Sequence, residues 1–124
     1  AIWGLAFKPD TDDIREAPSL YIIKELLEAG VTVKVFDPEA MDNVKELFGN
    51  KITFCDNQYD CLENADALVI ATEWATFRTP DFKKVSSLLK ENVIFDGRNL
   101  YDLEQMKKLN FYYTSVGRET VEKI

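Results

Sequence analysis

Short apolar runs alternate with amphipathic stretches from one end of the chain to the other. The first run, residues 2–6, reads as a buried strand, and residues 18–29 read as the helix that follows it. In that helix Leu20, Ile23 and Leu27 form one stripe, flanked by Ile22 and Leu26, while Lys24, Glu25 and Glu28 face the other way. This is the 3.6-residue period of a helix half-buried on a core. Pro18 suits the first helical turn and Gly30 the left-handed residue past its end. The alternation then repeats: strand 31–36, helix 39–48, strand 52–55, a short helix 57–64, strand 67–71, helix 80–89 and strand 93–95. Asp102 with Gln105 predicts a capping box opening a last helix, with Leu103, Met106 and Leu109 inward, before strand 111–114 and an irregular or helical tail.

The run Ala67-Leu68-Val69-Ile70-Ala71 is apolar without interruption, as expected of a central parallel strand buried on both faces. Six strands interleaved with helices imply an α/β fold: a Rossmann-like, doubly wound parallel sheet in the order 3-2-1-4-5-6, with helices on both faces. No repeat or linker interrupts it, so residues 1–124 read as one domain.

In such sheets ligands sit beyond the carboxyl ends of the strands where the winding reverses, here between strands 1 and 4. Strand 1 empties into Phe7-Lys8-Pro9 and a loop of about ten residues, where connections of roughly 2–6 are usual. That loop sets Lys8 and Arg15 among Asp10, Asp12 and Asp13. Strand 4 delivers Thr72-Glu73-Trp74, and strand 5 delivers Asp96-Gly97-Arg98. Lys8 and Arg98 are then two strands apart, on the order of 10 Å at the usual spacing. With Arg78 they would form a cationic edge suited to a phosphate or diphosphate. Arg98 is the stronger candidate, because Gly97 permits a close turn and a guanidinium offers phosphate a two-pronged fork.

The dinucleotide fingerprint is missing. G-x-G-x-x-G requires three glycines, and strand 1 offers only Gly4 before bulky Phe7 and Pro9. Asp37 ends strand 2 where a ribose-binding acid would stand, but beside Pro38 it reads better as a helix cap. Asp12-Asp13 next to Arg15 reads better as an ion-pair cluster than as a metal site. Trp74 and Phe77 suit packing at least as well as base stacking.

Composition narrows the classes. A net charge of −7 argues against nucleic acid or anionic membrane as a partner. No apolar run approaches the roughly 20 residues of a membrane span, and no secretory signal opens the chain, so a cytoplasmic setting is expected. Cys55 and Cys61 have no histidine to work with, since the chain contains none. Zinc and His-assisted nucleophilic chemistry are thereby disfavoured, and the thiols read as core cysteines. The start at Ala1, inside a strand, reads as a piece of a longer polypeptide. A receiver-type signalling domain would want a lysine after strand 5, where Asp96-Gly97-Arg98 stands; an assembly module is a further alternative.

Four segments carry a resemblance. GLAFKPDTDDIREAP (residues 4–18), VFDPEA (35–40), ATEWATFRTPDF (71–82) and FDGRNLYD (95–102) resemble, in order, the C-terminal domain of the UDP-glucose/GDP-mannose dehydrogenase family. The third and fourth favour its UDP-glucose branch over the GDP-mannose and UDP-N-acetylmannosamine branches. The resemblance implies NAD-dependent oxidation of UDP-glucose to UDP-glucuronate by a whole enzyme, homodimeric or larger. It implies that Phe7, Lys8 and Arg98 contact the UDP-sugar and that Arg15 reaches toward NAD held by a separate domain. The family's catalytic cysteine lies upstream and matches neither Cys55 nor Cys61, so this chain alone is expected to be inactive.

Overall fold

In the computed structural model, which describes residues 1–124, every strand runs parallel to its neighbours in one six-stranded sheet. The strands are β1 (Ile2–Trp3), β2 (Lys34–Phe36), β3 (Thr53–Phe54), β4 (Leu68–Ile70), β5 (Val93–Asp96) and β6 (Tyr112–Ser115), and their order is β3-β2-β1-β4-β5-β6. Ile2 is in register with Val35 on one side and Val69 on the other. The winding reverses between β1 and β4, as the sequence predicts.

The helices are α1 (Pro18–Glu28), α2 (Met41–Phe48), α3 (Ala75–Arg78), α4 (Phe82–Leu88) and α5 (Leu103–Lys108). Ile23 of α1 is fully buried, and Leu20, Ile22, Leu26 and Leu27 pack partly against the core. That matches the stripe read from the sequence. Trp3 lies at the centre, stacked on Phe77 with centroids 5.0 Å apart and fully buried. Truncating such a ring costs about 3–5 kcal/mol.

The regular elements are shorter than the apolar runs that encode them. Strand β1 stops at Trp3 because Gly4 takes φ +97. A Cβ on Gly4 would come within 2.5 Å of the Thr72 Cβ, so only glycine fits both the backbone and the space. Helix α2 begins at Met41 rather than at residue 39, because the Asp37 carboxylate caps the turn before it. The helix expected over 57–64 is one 3-10 turn, Asp60–Leu62. Asn57 caps it through the amides of Tyr59 and Asp60, but Asn64 at φ +61 ends it. Helix α4 starts at Phe82, with Asp81 accepting from the amides of Lys83 and Lys84. Helix α3 was not anticipated.

Asp102 does cap α5 through the Gln105 amide, and Met106 is buried, yet Leu109 is exposed rather than inward. It falls at the end of the helix, after the stripe has turned to solvent. The tail is irregular, as expected, apart from one contact. It turns at Gly117 and pairs Val121 with Tyr113 in an antiparallel bridge.

Candidate ligand site at the carboxyl edge of the sheet

Two buried aspartates build this edge. Asp37, at the end of β2, accepts five hydrogen bonds. Its Oδ2 takes the amides of Leu5 (2.7 Å) and Ala6 (3.1 Å) and the Trp74 indole Nε1 (3.0 Å). Its Oδ1 takes the amides of Glu39 and Ala40, both at 2.8 Å. A buried carboxylate is tolerable only when its lone pairs are filled in this way. The result joins the β1 loop, the start of α2 and the β4 exit at one point. Nothing of Asp37 is left for a ribose, and its reading as a cap holds.

Asp96 does the same for β5. Its Oδ1 accepts from the Arg98 amide (2.8 Å), and its Oδ2 from the Leu100 amide (2.7 Å) and the Tyr113 hydroxyl (2.6 Å). Burial and the bond to Asp96 push the Tyr113 hydroxyl up to about 12. Gly97 passes close beneath β4, where a Cβ would sit 3.1 Å from the Ile70 carbonyl oxygen. The turn that presents Arg98 is thus fixed from both sides.

From this turn the Arg98 guanidinium crosses β4. Its Nε donates to the Ala71 carbonyl (3.0 Å) and its Nη2 to the Phe7 carbonyl (3.1 Å). The distance expected between Lys8 and Arg98 is therefore bridged by the arginine itself. Nη1 keeps only Glu73 Oε2, at 3.8 Å, too long for a hydrogen bond. Glu73 Oε1 is buried with no partner. One edge of the guanidinium is thus uncommitted, beside a carboxylate that holds it loosely.

Phe7 is half-buried, and Lys8 is exposed with its ammonium 5.4 Å from the Phe7 ring centroid. Lys8 enters no ion pair. The Phe7 backbone and Arg98 are thus in contact, and Lys8 is next along the same loop. Arg15 is not among them. It lies in the same loop but is 87% exposed, with its Nη2 2.6 Å from Asp13 Oδ2. Arg15 holds the Asp13 carboxyl down at about 2, chiefly through the side-chain hydrogen bond. Asp13 also shapes the loop, its carbonyl accepting from the Phe7 amide (3.0 Å). Arg78 is exposed at the end of α3. Trp74 and Phe77 are buried in packing and are unavailable to stack on a base.

Ser19 is a part of this edge that sequence reasoning missed, and Thr72, placed there as a strand exit, has a role that the sequence did not reveal. The Ser19 hydroxyl donates to the Leu5 carbonyl (2.6 Å) and the Thr72 hydroxyl to the Ala6 carbonyl (2.5 Å). They satisfy the carbonyls that β1 leaves unpaired when it stops at Trp3. The sequence signal was weak: small hydroxyl residues at the two elements flanking β1.

Three cavities border the sheet. One of about 430 Å³ is lined by Arg98, Gly97, Asp96, Pro18, Ile22 and Phe95, among others. A second, about 540 Å³, is lined by Asp10, Thr11, Asp12, Glu39 and Trp74, and its three carboxylates repel an anion. The largest, about 640 Å³, lies around the amino ends of the strands, where Lys34 and Lys90 are balanced by Glu63 and Asp66. Size favours the last. The chemistry favours the first, which has a guanidinium at the reversal point of the sheet. No cluster of His, Cys, Asp or Glu could hold a metal ion, and no helix is long and apolar enough to cross a membrane.

Thr72 packs against Gly4, and both oxygens of Asp37 are filled by protein donors.

Residues 1–103 match the UDP binding domain of the UDP-glucose/GDP-mannose dehydrogenase family. A UDP-glucose 6-dehydrogenase of Pseudomonas aeruginosa is 46% identical over 123 residues, covering 95% of this chain and 27% of that protein. Its counterpart in Bacillus subtilis is 40% identical, with 98% and 26% covered. The chain thus spans about a quarter of the length of the curated relatives it matches. Among solved structures, a UDP-glucose dehydrogenase from Pyrobaculum islandicum superposes with a TM-score of 0.70 at 33% identity, over 80% of this chain and 21% of that one. An NDP-N-acetyl-D-galactosaminuronic acid dehydrogenase from Methanosarcina mazei gives 0.82 at 30% identity, over 96% and 24%. The fold, the four motifs and these relatives agree that the chain belongs to the UDP-glucose/GDP-mannose dehydrogenase family, as its UDP binding domain.

Proposed function

We propose that residues 1–124 act as one unit that holds the UDP part of UDP-glucose, within a cytoplasmic, NAD-dependent UDP-glucose 6-dehydrogenase that works as a homodimer or larger. The observation that carries this reading is Arg98. Its fork is fixed at the reversal point by two backbone carbonyls, with one nitrogen edge uncommitted and Lys8 on the adjoining loop. A phosphate oxygen docked on that edge gains a charge-assisted hydrogen bond from a donor already oriented for it. Lys8 adds a mobile point charge, and Phe7 supplies an apolar wall beside it. NAD, when bound by the rest of the polypeptide, supplies the hydride acceptor for oxidising the sugar at C6. Arg15 belongs to that side of the loop and would exchange Asp13 for a cofactor phosphate. The chain contributes binding and orientation and performs no oxidation by itself.

The likeness to a galactosaminuronic acid dehydrogenase supports a nucleotide end held in common across the family, with the sugar distinguished elsewhere. UDP-N-acetylmannosamine is therefore the second reading for the sugar, and GDP-mannose, which changes the nucleotide as well, the third.

Calorimetric titration of the chain with UDP tests the proposal. Binding is expected to be weak and to fall about 10–100-fold in Arg98→Ala, the loss of a hydrogen bond to a charged group. Equal affinity in wild type and Arg98→Ala would reject the assignment of Arg98.

A further inference from the structure

The tail braces the turn that carries Arg98. Residues 104–124 lie beyond the stretch that matches the UDP binding domain, yet they reach back to residues 96–100 in two places. The Asn99 side chain pairs with Val116 in both directions. Its Nδ2 donates to the Val116 carbonyl and its Oδ1 accepts from the Val116 amide, each at 2.9 Å. The second link starts at Arg118, whose Nη2 donates to the Tyr113 hydroxyl (2.7 Å). That hydroxyl donates to Asp96 Oδ2 (2.6 Å), and Asp96 accepts from the amides of Arg98 and Leu100.

This relay has a fixed direction. The Tyr113 hydroxyl has one proton, which goes to Asp96 rather than to the Tyr101 carbonyl at 3.4 Å. Held at about 12 by burial and by Asp96, it stays protonated at neutral pH, so toward Arg118 it only accepts. A guanidinium, always charged, is a fitting donor there. Asp96 is 2% exposed and enters no ion pair of its own. A buried carboxylate without a nearby cation is costly, and Arg118 supplies that charge through the intervening phenol. Its other nitrogens have protein partners too: Nε donates to Ser115 Oγ and Nη1 to the Tyr101 carbonyl, both at 2.9 Å. Arg118 therefore acts through its neighbours and not on a ligand.

We propose that Arg118 is a positioning residue for the anion site, fixing through Tyr113 and Asp96 the turn that aims Arg98 and so setting the affinity for the diphosphate of UDP. The role rests on the assignment of Arg98 given above. Without Arg118 the turn at residues 96–100 loosens, and the Arg98 guanidinium is released from the carbonyls of Ala71 and Phe7.

A double-mutant cycle on the chain, with Arg118→Ala and Tyr113→Phe, tests this in two readouts. In the ligand-free protein, hydrogen exchange of the Arg98 Nε–H should quicken in each single variant and no further in the double. UDP affinity by calorimetry should fall about 3–10-fold in each and no further in the double, because both changes break one relay. Arg118→Lys, which returns a charged donor to the hydroxyl without the other two contacts, should recover most of that affinity while its urea midpoint stays below wild type. Unchanged Arg98 Nε–H exchange in Arg118→Ala would overturn the proposal, as would effects that add in the double variant or an affinity that only follows the urea midpoint. Failure of the wild type to bind UDP would reject the diphosphate reading instead, and the exchange cycle would still decide whether Arg118 positions Arg98.

Discussion

The guanidinium of Arg98 donates to the carbonyl of Phe7 at 3.1 Å, across 91 residues of sequence and over the intervening strand β4. With its second bond to Ala71, this side chain ties the exits of β1, β4 and β5 into one frame. Asp37 fixes the frame on the β1–β2 side and Asp96 on the β5–β6 side. The uncommitted Nη1 edge thus belongs to a rigid scaffold rather than to a flexible surface arginine, and a preoriented donor loses less entropy on binding.

Gly4 is the steric key to this frame. Gly4→Ala places a methyl 2.5 Å from Thr72 Cβ and forces alanine to φ +97. Its cost combines a clash with backbone strain, about 2–4 kcal/mol. Urea unfolding should show the midpoint falling accordingly, and an unchanged midpoint would mean that the β1 loop is not packed on β4 as described.

Asp37 is the electrostatic key. Asp37→Asn keeps the shape but turns an amide NH₂ toward donors that a carboxylate accepted, whichever way it is flipped. Leaving two or three buried N–H groups without an acceptor costs at least ~3 kcal/mol. The Trp74 indole, which donates to Asp37, reports on the change directly. Wild-type Trp fluorescence and stability in this variant would contradict the five-bond arrangement.

Asp13 governs how the loop responds to acid. Its carboxyl is held below its ordinary 3.8, at about 2, by the hydrogen bonds from Arg15. A depressed folded value means that its contribution is complete above the ordinary value and is lost as pH falls through about 2. The pair is exposed, so the effect is on loop order and not on global stability. Carbon-13 NMR should give an Asp13 midpoint near 2 that returns toward 3.8 in Arg15→Ala. Identical midpoints in both proteins would show that the pair does not form in solution.

The strand order and the reversal between β1 and β4 were legible because they follow from apolar periodicity and parallel winding. The α1 stripe and the exits carrying Lys8 and Arg98 follow from the same pattern. Element boundaries were not, because they are set by groups distant in sequence: Thr72 against Gly4, Asp37 against Leu5 and Ala6. The polar network of Asp96, Tyr113 and Arg118, with Arg118 Nη2 2.7 Å from the Tyr113 hydroxyl, joins the β5 exit to the tail. No local pattern announces it. Arg15 shows a further limit: its ion pair with Asp13 could be read from proximity, but its part in cofactor binding rests on resemblance.

The central claim is that UDP docks at the carboxyl edge beside Arg98. Amide chemical-shift mapping of the chain titrated with UDP tests it most directly. The account predicts shifts concentrated at Phe7, Lys8, Gly97, Arg98 and Asn99. Shifts confined to Lys34, Glu63, Asp66 and Lys90, around the larger cavity at the amino ends of the strands, would contradict it.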